Sequence, residues 1–164
     1  MKAISTIYLD TSTINFLFAD DAPEKKEITI DLFDNFIKTG VYKSFISNFV
    51  LQELNQTETA EKRNKLLKVM DDYFIETLEL NNLNEVRELA QLCLKKGVIP
   101  PKKTFDALHI AVAVTHKIDY LVSWNYRHLA NVNREKKVIA INTENNYLHP
   151  IRILTPIELI DYES

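Results

Sequence analysis

Short apolar runs alternate along the chain with longer segments in which apolar residues recur at helical spacing. Each short run is rich in β-branched and aromatic residues, which is typical of strands. The longer segments place their apolar residues three and four positions apart, which favours helices. Strands are predicted at 4–9, 43–47, 74–80, 120–123, 138–141 and 151–154. Helices are predicted at 23–39, 57–72, 84–96, 104–117 and 156–161, with two shorter helices after Thr11 and Asn48.

This alternation predicts an α/β fold built from parallel βαβ units, with a sheet covered by helices on both faces. Ligands of such folds bind beyond the carboxyl ends of the strands. The two glycines, Gly40 and Gly97, each follow a helical pattern and are predicted to end a helix. No repeat, low-complexity tract or linker interrupts the pattern, so residues 1–164 are expected to form a single domain.

Composition narrows the possible functions. The chain has 164 residues, 46% of them hydrophobic, and 20 basic against 23 acidic side chains give a net charge of −3. A broad electropositive coat for duplex DNA is therefore not expected. The opening residues lack the apolar run of a signal peptide, and the aliphatic run at 110–114 is far shorter than the roughly 20 residues of a membrane span. With a single cysteine, Cys93, a cytoplasmic protein without membrane segments is expected.

Four polar residues fall at equivalent places in the predicted βα units: Asp10, Glu53, Asp106 and Asn125. A parallel sheet would bring them to one edge, where three carboxylates repel one another unless a cation neutralises them. Oxygen ligands without a histidine or thiolate set suit Mg²⁺ or Mn²⁺ rather than zinc. Carboxylates holding such a metal beside an open cleft are typical of phosphodiester hydrolysis.

Each of these residues also has a purely structural interpretation. Asp10 can cap a helix, and Glu53 can be an ordinary surface glutamate. Asp106 can complement the dipole of its own helix, and Asn125 can be a turn residue. Only their joint placement at strand ends favours a functional site.

In five segments the sequence resembles the PIN domain family. They are YLDTSTIN at 8–15, FVLQELNQT at 49–57, FDALHIAVA at 105–113, DYLVSWNYRHLAN at 119–131 and ILTPIEL at 153–159. The resemblance implies a three-layer α/β fold with a parallel sheet of about five strands. It also implies a Mg²⁺- or Mn²⁺-dependent endoribonuclease, of the kind found as VapC-like toxins in toxin–antitoxin pairs. RNA would be the substrate, an antitoxin a partner protein, and a homodimer the assembly.

By position, Asp10, Glu53 and Asp106 match the acidic residues of the family, and Thr11 or Ser12 matches its small hydroxyl residue. Asn125 stands where a fourth acid is usual, which removes one negative charge and would weaken binding of a second metal. Its oxygen could still coordinate a cation or position the attacking water. Active, weakened and inactive enzymes all remain open.

A second hypothesis is a binding module that holds RNA or a protein on this fold without cutting. A nucleotide-binding flavodoxin-like protein is a third, but the glycine-rich turn it needs is absent. Around the predicted cleft, His109 could orient a ligand or contact a phosphate, and Trp124 and Tyr126 could stack on a base. The favoured interpretation places His109 and Trp124 in the core as packing residues. Basic side chains on two flanking loops could bind RNA phosphates: Lys102, Lys103, Arg127, His128 and Arg134.

Overall fold

The computed structural model describes residues 3–163. Five strands and eight α-helices alternate along these residues. The strands are β1 (Ser5–Leu9), β2 (Tyr42–Ile46), β3 (Glu76–Thr77), β4 (Tyr120–Val122) and β5 (Arg152–Leu154). The α-helices are α1 (Thr11–Asn15), α2 (Pro23–Leu32), α3 (Asn48–Asn55), α4 (Ala60–Asp72), α5 (Leu83–Lys95), α6 (Thr104–Thr115), α7 (Val132–Glu144) and α8 (Pro156–Glu163). A 3₁₀ turn, Phe16–Phe18, follows α1, and a π-helical turn, Phe33–Ile37, extends α2.

All strands pair in parallel, in the order β3-β2-β1-β4-β5. This confirms the predicted α/β class and a parallel sheet of five strands. The chain leaves the central strand β1 in one direction to β2 and later returns to its other side as β4. In such folds ligands bind at this reversal, outside the carboxyl ends of the strands, and we call this place between β1 and β4 the crevice.

The core lies on both faces of this sheet. β1 is the most deeply buried strand, because Ile7, Tyr8 and Leu9 are all fully buried, as expected for a central parallel strand. Helix α6 packs its alanines and valines into the same core and contacts α5 along its length. The small side chains of α6 allow this close packing, as the sequence predicts.

One predicted strand is wrong. Residues 138–141 lie inside helix α7. Val138 and Ile141 are buried one turn apart, whereas Ile139 between them is 42% exposed, which is a helical and not a strand pattern. The side chain of Asn131 starts the helix by accepting a hydrogen bond from the Arg134 N–H at 2.9 Å.

Both short helices begin at a side-chain cap. Asp10 accepts from the Thr13 N–H and caps α1, in agreement with the structural interpretation of this residue. Ser47 caps α3 by accepting from the Phe49 N–H. Gly40 and Gly97 have positive φ angles of 79° and 71°, which confirms both as residues that end helical segments.

Within residues 3–163, no helix combines the length and the apolar character needed to cross a bilayer.

Candidate metal and nuclease site

The crevice between β1 and β4 is built from the residues that directly follow these strands. Asp10 ends β1, and its N–H donates to the carbonyl of Val122, the last residue of β4, at 3.2 Å. Ser123 and Asn125 follow β4 in the same place. Helices α3 and α6 bring Glu53 and Asp106 towards this edge, as shown by the contacts described below. The four residues predicted from the sequence therefore gather at one edge of the sheet.

Asp10 is almost fully buried, with 3% of its surface exposed. Its Oδ1 accepts from the Ser12 hydroxyl at 2.6 Å and from both the N–H and the hydroxyl of Thr13 at 3.1 Å. Its Oδ2 accepts from the hydroxyl of Ser123. Four donors from three residues thus hold this carboxylate, so a buried negative charge is compensated by hydrogen bonds.

Glu53 is fixed by a chain of hydrogen bonds that begins in the core. Its Oε1 lies 2.7 Å from His109 Nε2 and accepts from the Thr11 hydroxyl at 2.5 Å. On the other side of the ring, His109 Nδ1 lies 2.7 Å from the hydroxyl of Tyr8, which in turn lies 2.6 Å from Ser47 Oγ. Since an ionised carboxylate only accepts, Nε2 of His109 carries the proton shared with Glu53.

The pKa of Glu53 reflects this chain. Burial by itself would raise the pKa, but the hydrogen bond and charge of His109, together with the hydrogen bond from Thr11, lower it below its ordinary value. His109 is 1% exposed, so it is a core histidine, as the sequence predicts. Its hydrogen bond to Glu53 also agrees with the alternative stated above, in which His109 orients a ligand.

Asp106 lies in the first turn of α6, and Lys103 precedes that helix. Burial raises the pKa of Asp106, and the negative charges of Asp10 and Glu53 raise it further, while His109 and Lys103 act in the opposite direction. The net rise means that the folded protein disfavours a third negative charge at this edge. A carboxylate in that situation is stabilised when a cation approaches it.

Asn125 contacts Asp106 through its amide nitrogen. Nδ2 donates to Asp106 Oδ2 at 3.2 Å, and Oδ1 accepts from the N–H of His128 at 3.2 Å. The opposite orientation of the amide would turn its oxygen towards a carboxylate and its NH₂ towards an N–H, so it is disfavoured. The neutral residue therefore supplies a donor to Asp106, which an acid at this position could not do when ionised.

These side chains fit a divalent cation by their donor chemistry. Three carboxylates lie at one edge of the sheet, and burial together with the charges of Asp10 and Glu53 raises the pKa of Asp106. Hard oxygen donors of this kind suit Mg²⁺ or Mn²⁺. Among residues 3–163, however, no three acidic, histidine or cysteine side chains already surround one point at metal-binding distance. The carboxylates would have to converge to share one ion.

Asp119 lies at the opposite end of β4. It accepts hydrogen bonds from the N–H and hydroxyl of Thr6 at 2.9 and 3.3 Å, and it pairs with His149 at 2.9 Å. Asp119 therefore lies away from the edge where Asp10, Glu53, Asp106 and Asn125 gather.

The family comparison agrees with the geometry. The family model described as the PIN domain matches residues 7–135, most of the chain. The chain belongs to the PIN domain family.

A solved structure shows the same PIN fold. It is the crystal structure of VapBC2 from Rickettsia felis bound to a DNA fragment from their promoter, which this chain matches with a TM-score of 0.53. The match covers 92% of this chain and 98% of the other, at 15% sequence identity. At that identity the likeness concerns the fold alone. Among curated proteins, no relative of this PIN domain was found.

Two contributors to the site were missed in the sequence. Ser123 and Tyr8 lie inside strand-like apolar segments, where a hydroxyl is normally a packing residue. Ser123 donates to Asp10, and Tyr8 links the core to His109. Burial raises the pKa of Tyr8, so its hydroxyl stays protonated and able to donate. The sequence signal for Ser123 is its position at the end of a predicted strand, the same kind of position that Asp10 occupies. That position could have indicated its hydrogen bond to Asp10.

The basic residues predicted to flank the cleft differ in their availability. Lys102, Lys103 and Arg127 are exposed. Arg134 is half-buried, and its guanidinium donates to the carbonyl of Val98, so it ties α7 to the loop after α5. Its charge is therefore less available to RNA than the sequence suggests.

Proposed function

We propose that this PIN domain is a Mg²⁺- or Mn²⁺-dependent endoribonuclease that hydrolyses phosphodiester bonds of RNA. The observation that carries the proposal is the gathering of three carboxylates, those of Asp10, Glu53 and Asp106, at one edge of the sheet, where burial and the charges of the other two raise the pKa of Asp106. Three carboxylates held close together repel one another, which lowers the stability of the folded protein. A bound cation would offset this repulsion and would explain why they lie together. Membership of the PIN domain family supports the same chemistry.

Asp10, Glu53 and Asp106 would hold the metal, directly or through water. When bound, a divalent cation supplies an activated water molecule and neutralises charge that develops on the phosphate. The protein contributes orientation: Ser12, Thr13 and Ser123 hold Asp10, and His109 with Thr11 holds Glu53. Asn125 orients Asp106 through its amide nitrogen.

We further propose that the protein is the toxin of a toxin–antitoxin pair and acts in the cytoplasm as a single domain. The likeness to the VapBC2 structure supports an antitoxin partner, and the motif resemblance described above implies a homodimer. Co-expression with the protein encoded beside it would test this assignment. Neutralisation of growth arrest by that protein is the expected result, and the absence of any growth arrest on expression would contradict it.

A second candidate is a PIN-fold module that binds RNA without cutting it. The saturation of Asp10 by four hydrogen bonds favours it, because this carboxylate is satisfied without a metal. The missing fourth acid at Asn125 points the same way. This candidate predicts RNA binding that is unchanged by chelation and no cleavage with any divalent ion.

Cleavage of a short single-stranded RNA by purified protein distinguishes the two candidates. We expect cleavage with Mn²⁺, none with EDTA, and none by Asp106→Asn, which keeps an oxygen towards Asn125 but removes the charge. The matched control is Asp71→Asn, because Asp71 is exposed on α4 and lies outside the crevice.

Thermal unfolding with and without Mn²⁺ provides a readout that does not depend on activity. Wild type and Asp71→Asn should gain stability from the metal, and Asp106→Asn should not. Metal-independent cleavage, or full activity in Asp106→Asn, would overturn the nuclease proposal.

A further inference from the structure

A lysine ammonium lies over three aromatic rings beside the crevice. Nζ of Lys25, on α2, is 5.5 Å from the ring centroid of Phe16, 5.5 Å from that of Trp124 and 5.3 Å from that of Tyr126. These are cation–π distances. We call these four residues the aromatic cluster.

The positive charge of the cluster has no acidic partner. No carboxylate in the described part of the chain lies within 4.0 Å of Lys25 Nζ. The neighbouring Lys26, by contrast, pairs with Asp20 at 2.5 Å. Aromatic faces hold a cation in place without neutralising it, so the ammonium of Lys25 remains free to bind an anion.

Hydrogen bonds fix the cluster to the crevice. The Trp124 N–H donates to Ser12 Oγ at 3.0 Å, and that hydroxyl donates to Asp10 at 2.6 Å. The indole N–H of Trp124 donates to the Thr29 hydroxyl at 2.9 Å, which donates to the carbonyl of Lys25 at 2.6 Å. These hydrogen bonds hold the indole of Trp124 and the backbone of Lys25 together. They also link Trp124 through Ser12 to Asp10, a candidate metal ligand.

Tyr126 is the exposed part of the cluster. It follows Asn125 directly, and 54% of its surface is exposed, whereas Trp124 is only 4% exposed. An exposed aromatic ring next to a fixed cation presents a flat apolar face and a positive charge a few ångströms apart. In a single-stranded nucleic acid, each nucleotide presents a base and a phosphate at a similar separation.

We propose that the aromatic cluster binds one nucleotide of single-stranded RNA next to the bond that is cut. The base stacks on Tyr126, and its phosphate binds Lys25. This proposal rests on RNA being the substrate, and it identifies the aromatic cluster as the part of the site that binds the RNA strand. Because every base has a stacking face, this position would bind without a strong sequence preference.

Fluorescence anisotropy with a fluorescein-labelled single-stranded RNA of mixed sequence tests the proposal. EDTA is included so that the probe stays intact. We expect Tyr126→Ala to raise the Kd by about tenfold, which is the usual effect of losing one stacked base. We expect Lys25→Gln to raise the Kd as well, because it loses a contact with a phosphate. Tyr126→Phe, which keeps the ring, should bind as wild type does.

The salt dependence separates the two contacts. Loss of one phosphate contact lowers the slope of log K against log salt by about 0.7 for a single strand. We expect this change in Lys25→Gln but not in Tyr126→Ala, since stacking releases no counterions.

Matched controls come from the other end of the sheet. Lys43 lies 5.4 Å from the ring centroid of Phe45, and Phe74 is 76% exposed. Lys43→Gln and Phe74→Ala remove a similar cation–π pair and a similar exposed ring, and neither should change the Kd.

The outcomes separate this proposal from the proposed function. If wild type binds and cuts RNA while Tyr126→Ala and Lys25→Gln bind as tightly as wild type, the aromatic cluster is not a nucleotide site and the nuclease assignment survives. If wild type neither binds nor cuts RNA, both proposals fail. Equal losses in the control variants would also overturn the nucleotide site, because the effect would not be specific to it.

Discussion

At the scale of single residues, Asp10 has two functions that depend on one carboxylate. It caps helix α1 through the Thr13 N–H, and it is the central acid of the candidate metal site. Loss of a cap costs about 1 kcal/mol of stability. Asp10→Ala would therefore weaken the fold as well as the site, and Asp106, which makes one hydrogen bond to a side chain, is the better position for testing function.

Asn125 is the residue that departs from the usual acidic set, and changing it to aspartate should have opposite effects on stability and metal binding. In Asn125→Asp the donor to Asp106 becomes a second carboxylate. We expect the metal-free protein to lose about 1–2 kcal/mol of unfolding free energy, measured in urea with EDTA. Calorimetric titration should show tighter Mn²⁺ binding than in wild type, because the site gains a charge.

Asn125→Ala is the control for this prediction. It removes the same hydrogen bond without adding charge, so it should lose stability without gaining Mn²⁺ affinity. Unchanged Mn²⁺ affinity in Asn125→Asp would mean that this position does not face the metal.

At the scale of helices and strands, the end of α5 depends on one glycine. Gly97 has a φ of 71°, and a Cβ placed on it would meet no atom within 4 Å. Gly97→Ala should therefore lower the free energy of unfolding by about 1 kcal/mol through backbone conformation alone. Gly97→Asn should lose less, since asparagine tolerates this conformation better. Urea unfolding measures both, and an equal cost for the two variants would contradict this explanation.

Four of the elements near the site were predictable because their patterns were unambiguous. The strands at 4–9 and 43–47 and the helices at 84–96 and 104–117 differ from the structure by one or two residues at their ends. These segments are long, or are followed by a glycine or a capping residue.

The run at 138–141 was mispredicted because four apolar residues fit a buried strand as well as a helix. The Asn131 cap, seven residues earlier, is what decides it. The contacts of His109 could not be predicted, because Tyr8, Glu53 and His109 come from three distant segments that only the folded sheet brings together.

At the scale of the whole molecule, stability and function conflict at the carboxylate edge. The pKa of Asp106 is raised, so its charged form destabilises the folded state relative to the unfolded one. The stability that the protonated group contributes is therefore fully present below the ordinary pKa of an aspartate and is lost as the pH rises through the raised pKa. Asp106→Asn should be more stable than wild type at neutral pH without metal.

The difference in the free energy of unfolding between Asp106→Asn and wild type should shrink as the pH falls through the raised pKa of Asp106, because the wild-type carboxyl then becomes neutral too. Urea unfolding at a series of pH values in EDTA measures it. A difference in unfolding free energy that stays constant with pH would show that the charge of Asp106 does not destabilise the fold. An Asp106→Asn variant less stable than wild type at neutral pH would show the same.

Trp124 is the sole tryptophan of the 164 residues, and it lies where the candidate nucleotide site meets the acidic crevice. The indole is shielded from solvent and in contact with a cation, so its emission depends on whether Lys25 and Ser12 keep their places. The protein thus carries an intrinsic optical probe of its own crevice. Changes in tryptophan fluorescence can follow ligand arrival in real time in unlabelled protein, separately from the larger red shift that global unfolding produces.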